Sequence, residues 1–299
     1  MKIKTILIAF LIVALAPIET VFAQTAKKQP PAKGKPAAKA PAKPPAKKKP
    51  KTKFFGKKPI PFIATALPFA GPVARIGRKG IQCDLPAAVA DKDGKALIAH
   101  LEWDGKIDRL ILSRETDKGL QQVSANVAKG VLHKPAIAMD GKGTAWIIWG
   151  ETHKDTTVNL KARSWSADKG FGAPATIADS DAAEAFVVAG TDSQGRIWAS
   201  WQSFRAGEAD VYARFIDPKS GKWSKEIAVA TPKGGDWEPS IAFDNKGHAW
   251  IGYDSSRGNE FNLNLARVDD QGQVKEFPIA HSPKYEARAS ITATAQGDG

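Results

Sequence analysis

One cysteine, two methionines and three tyrosines in 299 residues remove several kinds of function at the start. The single thiol, Cys83, cannot close an internal disulfide. With no matching His and Asn pattern in the sequence, it reads as a small buried residue rather than a nucleophile. His100, His248 and His281 are too scattered for a zinc spacing, so neither a metal nor an organic cofactor is expected. Long apolar runs are missing too. The run near the N-terminus, Ile6 to Ala16, is 11 residues, whereas a spanning helix needs roughly 20, and no transmembrane segment is expected in the mature chain.

Acid is absent from residues 24–58, where 13 lysines fall. Setting these aside with Lys2, Lys4 and Glu19 leaves 29 basic and 30 acidic residues over 59–299, so the net charge of +13 is confined to the N-terminal part. No nucleic-acid partner is expected from a nearly neutral remainder. Residues 1–23 read as a secretory signal: Lys2 and Lys4, an apolar stretch, then Val21-Phe22-Ala23 before a cut that leaves Gln24 first. The expected location is periplasmic or extracellular. Residues 24–58 cycle through Ala, Lys and Pro and can form no core; they read as an extended disordered linker that could adhere to an anionic envelope surface.

A repeat of about fifty residues recurs within 59–299. Each copy carries an Asp, a Gly three later and usually a Trp three after that: Asp91, Gly94 and Leu97; Asp140, Gly143 and Trp146; Asp192, Gly195 and Trp198; Asp244, Gly247 and Trp250. A short apolar run precedes each Asp-x-x-Gly turn and another follows it, with two more short strands behind. In the second strand Trp146 and Trp149, Trp198 and Trp201, and Trp250 and Tyr253 lie three apart, which puts rings on opposite faces and requires both faces to be covered. Stacked four-stranded sheets satisfy this. The expectation is an all-β β-propeller of four-stranded blades, with repeats near 85–133, 134–184, 185–237 and 238–284. A fifth copy begins at 285–299, where Ile291 to Thr294 repeats the register of Ile241 to Asp244, so the chain is expected to stop inside a blade.

This pattern resembles the repeats of sialidase-like bacterial propellers over roughly residues 85–299. The Gly follows the Asp by three positions, where the sialidase Asp-box has two, and the WD and kelch signatures are not repeated. The resemblance implies a propeller fold and glycan chemistry. A sialidase would need an arginine cluster, of which Arg205 and Arg257 supply two members.

Repetition separates scaffold from site, because a catalytic group is needed once and a structural one in every blade. The four turn aspartates are therefore read as turn formers, and Arg114, Arg163, Arg214 and Arg267 as bonding groups between blades. Departures from the repeat gather at the hairpin between the second and third strands and at the link entering the first. There stand Arg205 and Arg257, Glu151 and His153, Glu184, and Trp237 with Glu238, the residues expected to bind a ligand. Arginines suit carboxylate or phosphate; a ring beside carboxylates suits sugars. At hairpin tips, Arg205 and Arg257 are expected to contribute little to stability. The leading expectation is a binding or scaffold module for a glycan, an anionic ligand or a protein. The alternatives are a hydrolase drawing on Glu151, Glu184, Glu238 or Asp254, with no nucleophile assignable, or a propeller whose chemistry lies in a further domain.

Overall fold

The computed structural model describes residues 76–293 apart from 154–156, 206, 218–219, 232–233 and 258–259. The expected signal, the expected linker and residues 294–299 of the expected fifth copy lie outside the described residues. No helix occurs among the described residues; the chain folds as four antiparallel sheets taken up one after another. Blade 1 is β1 (Gln82–Ala90), β2 (Ala96–Trp103), β3 (Asp108–Thr116) and β4 (Gly119–Gly130). Blade 2 is β5 (Ala136–Met139), β6 (Ala145–His153), β7 (Thr157–Ser166) and an outer edge in two pieces, β8 (Gly170–Phe171) and β9 (Ala175–Ala178), both pairing with β7. Blade 3 is β10 (Glu184–Thr191), β11 (Ile197–Ser203), β12 (Asp210–Ile216) and β13 (Ile227–Ala230); blade 4 is β14 (Gly235–Phe243), β15 (Ala249–Ser256), β16 (Phe261–Val268) and β17 (Val274–Ala280).

The turn chemistry is explicit. In each Asp-x-x-Gly the aspartate Oδ1 accepts the backbone N–H two and four residues on, as Asp192 does from Gln194 and Arg196, both at 2.9 Å. The Gly donates back to the Asp carbonyl and sits at φ between 73° and 83° in all four turns, a region glycine enters without steric cost. The Trp three residues beyond completes the unit: Trp198 Nε1 donates to Asp192 Oδ2 at 2.8 Å and Trp250 Nε1 to Asp244 Oδ2 at 3.1 Å. In blade 1, where Leu97 holds that position, Arg114 takes the carboxylate instead. A fifth turn of the same kind, Asp269 to Gly272, joins β16 to β17.

The core lies between successive sheets rather than within one. Leu97, Leu110 and Leu112 of blade 1 pack with Ile147 and Trp149 of blade 2; Ile148 and Leu160 with Trp201 of blade 3; Trp198 and Val211 with Ile251 and Tyr253 of blade 4. Trp198, Trp201 and Tyr253 are fully buried, so both faces of the second strand are covered. Inner strands stand side by side, β1 on β5, β5 on β10 and β10 on β14. Arginines of the third strand tie two of the seams: Arg163 Nη1 donates to Val127 O in blade 1 and Arg214 Nη1 to Ile177 O in blade 2. Arg114 stays within its own blade, bound to Asp91, and the Nε of Arg267 is buried without a hydrogen bond among the described residues.

Candidate functional site

A four-stranded antiparallel blade puts the start of its inner strand beside the hairpin between strands two and three. Glu184 opens β10 and pairs with Ser203; Asp236, fifty-two residues on, pairs with Ser255. Glu184 is fully buried and accepts from Ser180 Oγ, from Trp201 Nε1 at 2.6 Å and from Arg205 Nε at 3.0 Å. Arg205 also clasps both oxygens of Glu226 and lies 4.3 Å over the Tyr212 ring. Blade 4 repeats the plan: Arg257 Nη2 stands 3.1 Å from Glu276 Oε1 and 3.6 Å from Asp236 Oδ1, and the Tyr253 hydroxyl donates to Glu276. Burial opposes both guanidinium charges, but Glu226 and Glu184 around Arg205, and Glu276 and Asp236 around Arg257, hold both above the ordinary arginine range.

Glu184 and Asp236 differ in what surrounds them. Asp236 is fully buried, and neither carboxylate oxygen has a hydrogen-bond partner within 3.5 Å among the described residues. Burial pushes its pKa up to about 6, against the pull of Arg257.

Trp237 lines two cavities on this face. The larger, about 620 Å³, is walled by Phe204, Glu208, Gly235, Ser256 and Arg257; the smaller, about 190 Å³, by Phe186, Gln202, Glu238, Asp254, Phe261 and Tyr285. The Trp237 and Phe261 rings stack with centroids 5.8 Å apart, and Phe261 meets Tyr285 at 5.0 Å. Tyr285 is 72% exposed.

The backbone sets these side chains. Bulges break the register of β1, β10 and β14, and Leu85, Phe186 and Glu238 there adopt φ of 49°, 53° and 46°. Positive φ in a large residue is a strain of roughly 1–3 kcal/mol, kept only where neighbours fix it. Gln202 of blade 3 fixes one case by accepting from Glu238 N–H at 3.1 Å. The segment beyond blade 4 copies the arrangement: Arg288, at φ 68°, donates its N–H to both Asp254 oxygens at 2.7 and 2.8 Å, and Ala289 N–H adds a third bond. Glu286 N–H bonds Phe261 O just as Asp236 N–H bonds Ala209 O. Residues 285–289 thus follow the path of an inner strand without forming one.

Of the residues expected to bind a ligand, Trp237, Glu238 and Arg257 line the cavities. Arg205 and Glu184 sit beside them, joined to each other. Glu151 accepts from Trp149 Nε1 at 3.2 Å on blade 2, and His153 ends β6; neither lines either cavity. Phe186, Phe204 and Phe261 were missed, because an isolated Phe carries no sign of exposure in a sequence.

A third group forms at the same end of blade 1. Cys83, His100 and Glu102 bring their ligand atoms within 4.8 Å of one another, although 17 and 19 positions separate the thiol from the other two. Burial holds the His100 pKa below the ordinary histidine value; Glu102, despite burial, is held below the usual carboxylate range by Arg78.

No protein-family model matches the chain, and no curated protein matches it. Solved structures do. An α-L-arabinofuranosidase of Fusarium graminearum superposes with a TM-score of 0.51 at 13% identity, covering 73% of this chain and 72% of that one. An α-L-arabinanase of Penicillium chrysogenum gives 0.50 at 12%, covering 71% of each. Trypanosoma rangeli sialidase gives 0.50 at 16%, covering 72% of this chain, which spans 42% of the sialidase. The fold class is a sialidase-like β-propeller of four-stranded blades. At these identities the likeness carries the fold and leaves the reaction open.

Proposed function

We propose that this chain is an exported, envelope-tethered propeller that binds carbohydrate on the aromatic face around Trp237. The carrying observation is the contiguous run of Trp237, Phe261 and Tyr285 beside Glu238 and Gln202. Ring faces offer flat apolar surface to the C–H faces of a sugar, while carboxylate and amide groups at the edge bond its hydroxyls. The propeller neighbours named for arabinan and sialic-acid chemistry add support from fold analogy alone.

Binding is favoured over cleavage by the state of the carboxylates. Glycoside hydrolysis needs two about 5–10 Å apart and free to act. Glu184 is engaged by three donors, Asp254 by two backbone amides, and Glu151 by Trp149. Glu238 remains. The hydrolytic reading rests on Asp236, whose neighbours Gly235 and Trp237 line the larger cavity and whose raised proton affinity suits a general acid.

A glycan array of the full chain, with Tyr285→Ala and Trp237→Ala beside it, tests the reading. The wild type retains a defined set of oligosaccharides, each variant binds them about tenfold more weakly, a loss of about 1.4 kcal/mol, and no reducing sugar is released. Binding untouched by both substitutions refutes the assigned face. Sugar release lost in Asp236→Asn makes the protein a hydrolase. The tether is tested separately: removing residues 24–58 abolishes salt-sensitive adsorption to anionic vesicles and leaves the array pattern unchanged.

A further inference from the structure

In blade 1 the position held by Glu184 in blade 3 and Asp236 in blade 4 is held by Cys83, facing Glu102 across the β1–β2 ladder. His100, two residues before Glu102, takes the place of Trp201 and Tyr253, and the period of two along a strand puts it on the same face as Glu102. A carboxylate, a large aromatic ring and a serine are thus exchanged for sulfur, nitrogen and oxygen donors. Cys83 Sγ lies 3.9 Å and His100 Nε2 3.6 Å from Glu102 Oε1. His100 is 2% exposed, and neither ring nitrogen has a hydrogen-bond partner among the described residues. A buried polar group left so costs about 1–3 kcal/mol, an expense the aromatic residues of the other blades avoid. Glu102 is also buried and is oriented from behind by Arg78 Nε, 2.7 Å from Oε2. Gly77 closes over the sulfur so tightly that a Cβ there would stand 2.3 Å from Cys83 Sγ.

We propose that Cys83, His100 and Glu102 form a binding site for a divalent cation of the zinc class. One thiolate, one imidazole and one carboxylate make a borderline donor set, suited to Zn²⁺ or Co²⁺ and poorly suited to Ca²⁺ or Mg²⁺. As the metal–sulfur bond forms the thiol releases one proton, while imidazole binds neutral and Glu102 binds as the anion. The two anionic ligands balance the dication, and Arg78 keeps the outer carboxylate oxygen as a supporting contact. Three protein ligands leave a fourth tetrahedral position for water. This site is independent of the carbohydrate face.

The test uses the full chain, reduced and without a histidine tag, titrated with Co²⁺ and then Zn²⁺. The expected result is one equivalent of Co²⁺ with a sulfur-to-cobalt charge-transfer band and tetrahedral visible bands, displaced by Zn²⁺, with one proton released per ion to an indicator dye. Cys83→Ser removes the charge-transfer band with an unchanged circular dichroism spectrum. His100→Gln raises the Co²⁺ dissociation constant at least about 100-fold, the upper range for loss of even a supporting group. Because His100 is buried and its variant could unfold, the half-buried Cys83 variant carries the decision. Folded wild type with no charge-transfer band, or a band that persists in Cys83→Ser, overturns the proposal.

Discussion

Glu184 and Asp236 show how far one residue's surroundings change its role. Glu184 meets three donors and anchors Arg205, so the arginine is part of the scaffold. Arg205→Ala is expected to cost on the order of 1–3 kcal/mol, read as a lower melting temperature, since it leaves a buried carboxylate short of a partner. That exceeds the small cost expected of a hairpin tip. The sequence could not show this, because Glu226 reaches the same arginine from just before the outer strand, 21 positions away. Asp236 works in the other direction. Its folded pKa of about 6 lies above the unfolded value, so the folded state takes up the proton first as pH falls. The buried anion therefore destabilises above pH 6, and the cost disappears as pH drops towards 4. Asp236→Asn should raise stability at pH 7 by on the order of 2–3 kcal/mol and give no gain near pH 4, as urea unfolding at the two pH values would measure. A gain that persists at pH 4 would show that ionisation is not the cause.

At the scale of the element, the Asp-x-x-Gly turn was the most legible feature, because its chemistry is local: an aspartate, a glycine at positive φ and a Trp six residues after the Asp. Depth differs between copies. The Asp192 side chain binds two backbone amides, Arg196 Nε at 2.5 Å and Trp198, and is fully screened from solvent, while the Asp140 side chain accepts from two backbone amides alone among the described residues. Asp192→Ala should therefore cost about 3 kcal/mol or more and Asp140→Ala about 1 kcal/mol, compared by thermal unfolding. Equal costs would mean that the side-chain bonds of Asp192 add nothing. The bulges were not legible. Leu85, Phe186 and Glu238 carry no glycine signal, and the one contact from the preceding blade that holds such a position, Gln202 on the Glu238 amide, joins residues 36 positions apart.

Across the whole molecule, four sheets could be counted from the sequence because each repeat writes its own turn and its own buried strand. That the inner strand's start and the second hairpin share one end of a blade was legible for the same reason, since consecutive strands pair antiparallel. The particular surface was not. Phe186, Trp237, Phe261 and Tyr285 come from four segments spread over 99 positions, and their meeting depends on how blade 4 lies against blade 3 and on the path of 285–289. The Cys83 cluster was hidden likewise, by a hairpin that folds distant positions onto one face. Backbone hydrogen exchange of the full chain, with and without an oligosaccharide retained on the array, tests the carbohydrate face most directly. Slower exchange should appear at 235–238 and 285–289, around Trp237 and Tyr285; protection confined to the Asp-x-x-Gly turns at the opposite end of the blades would contradict it.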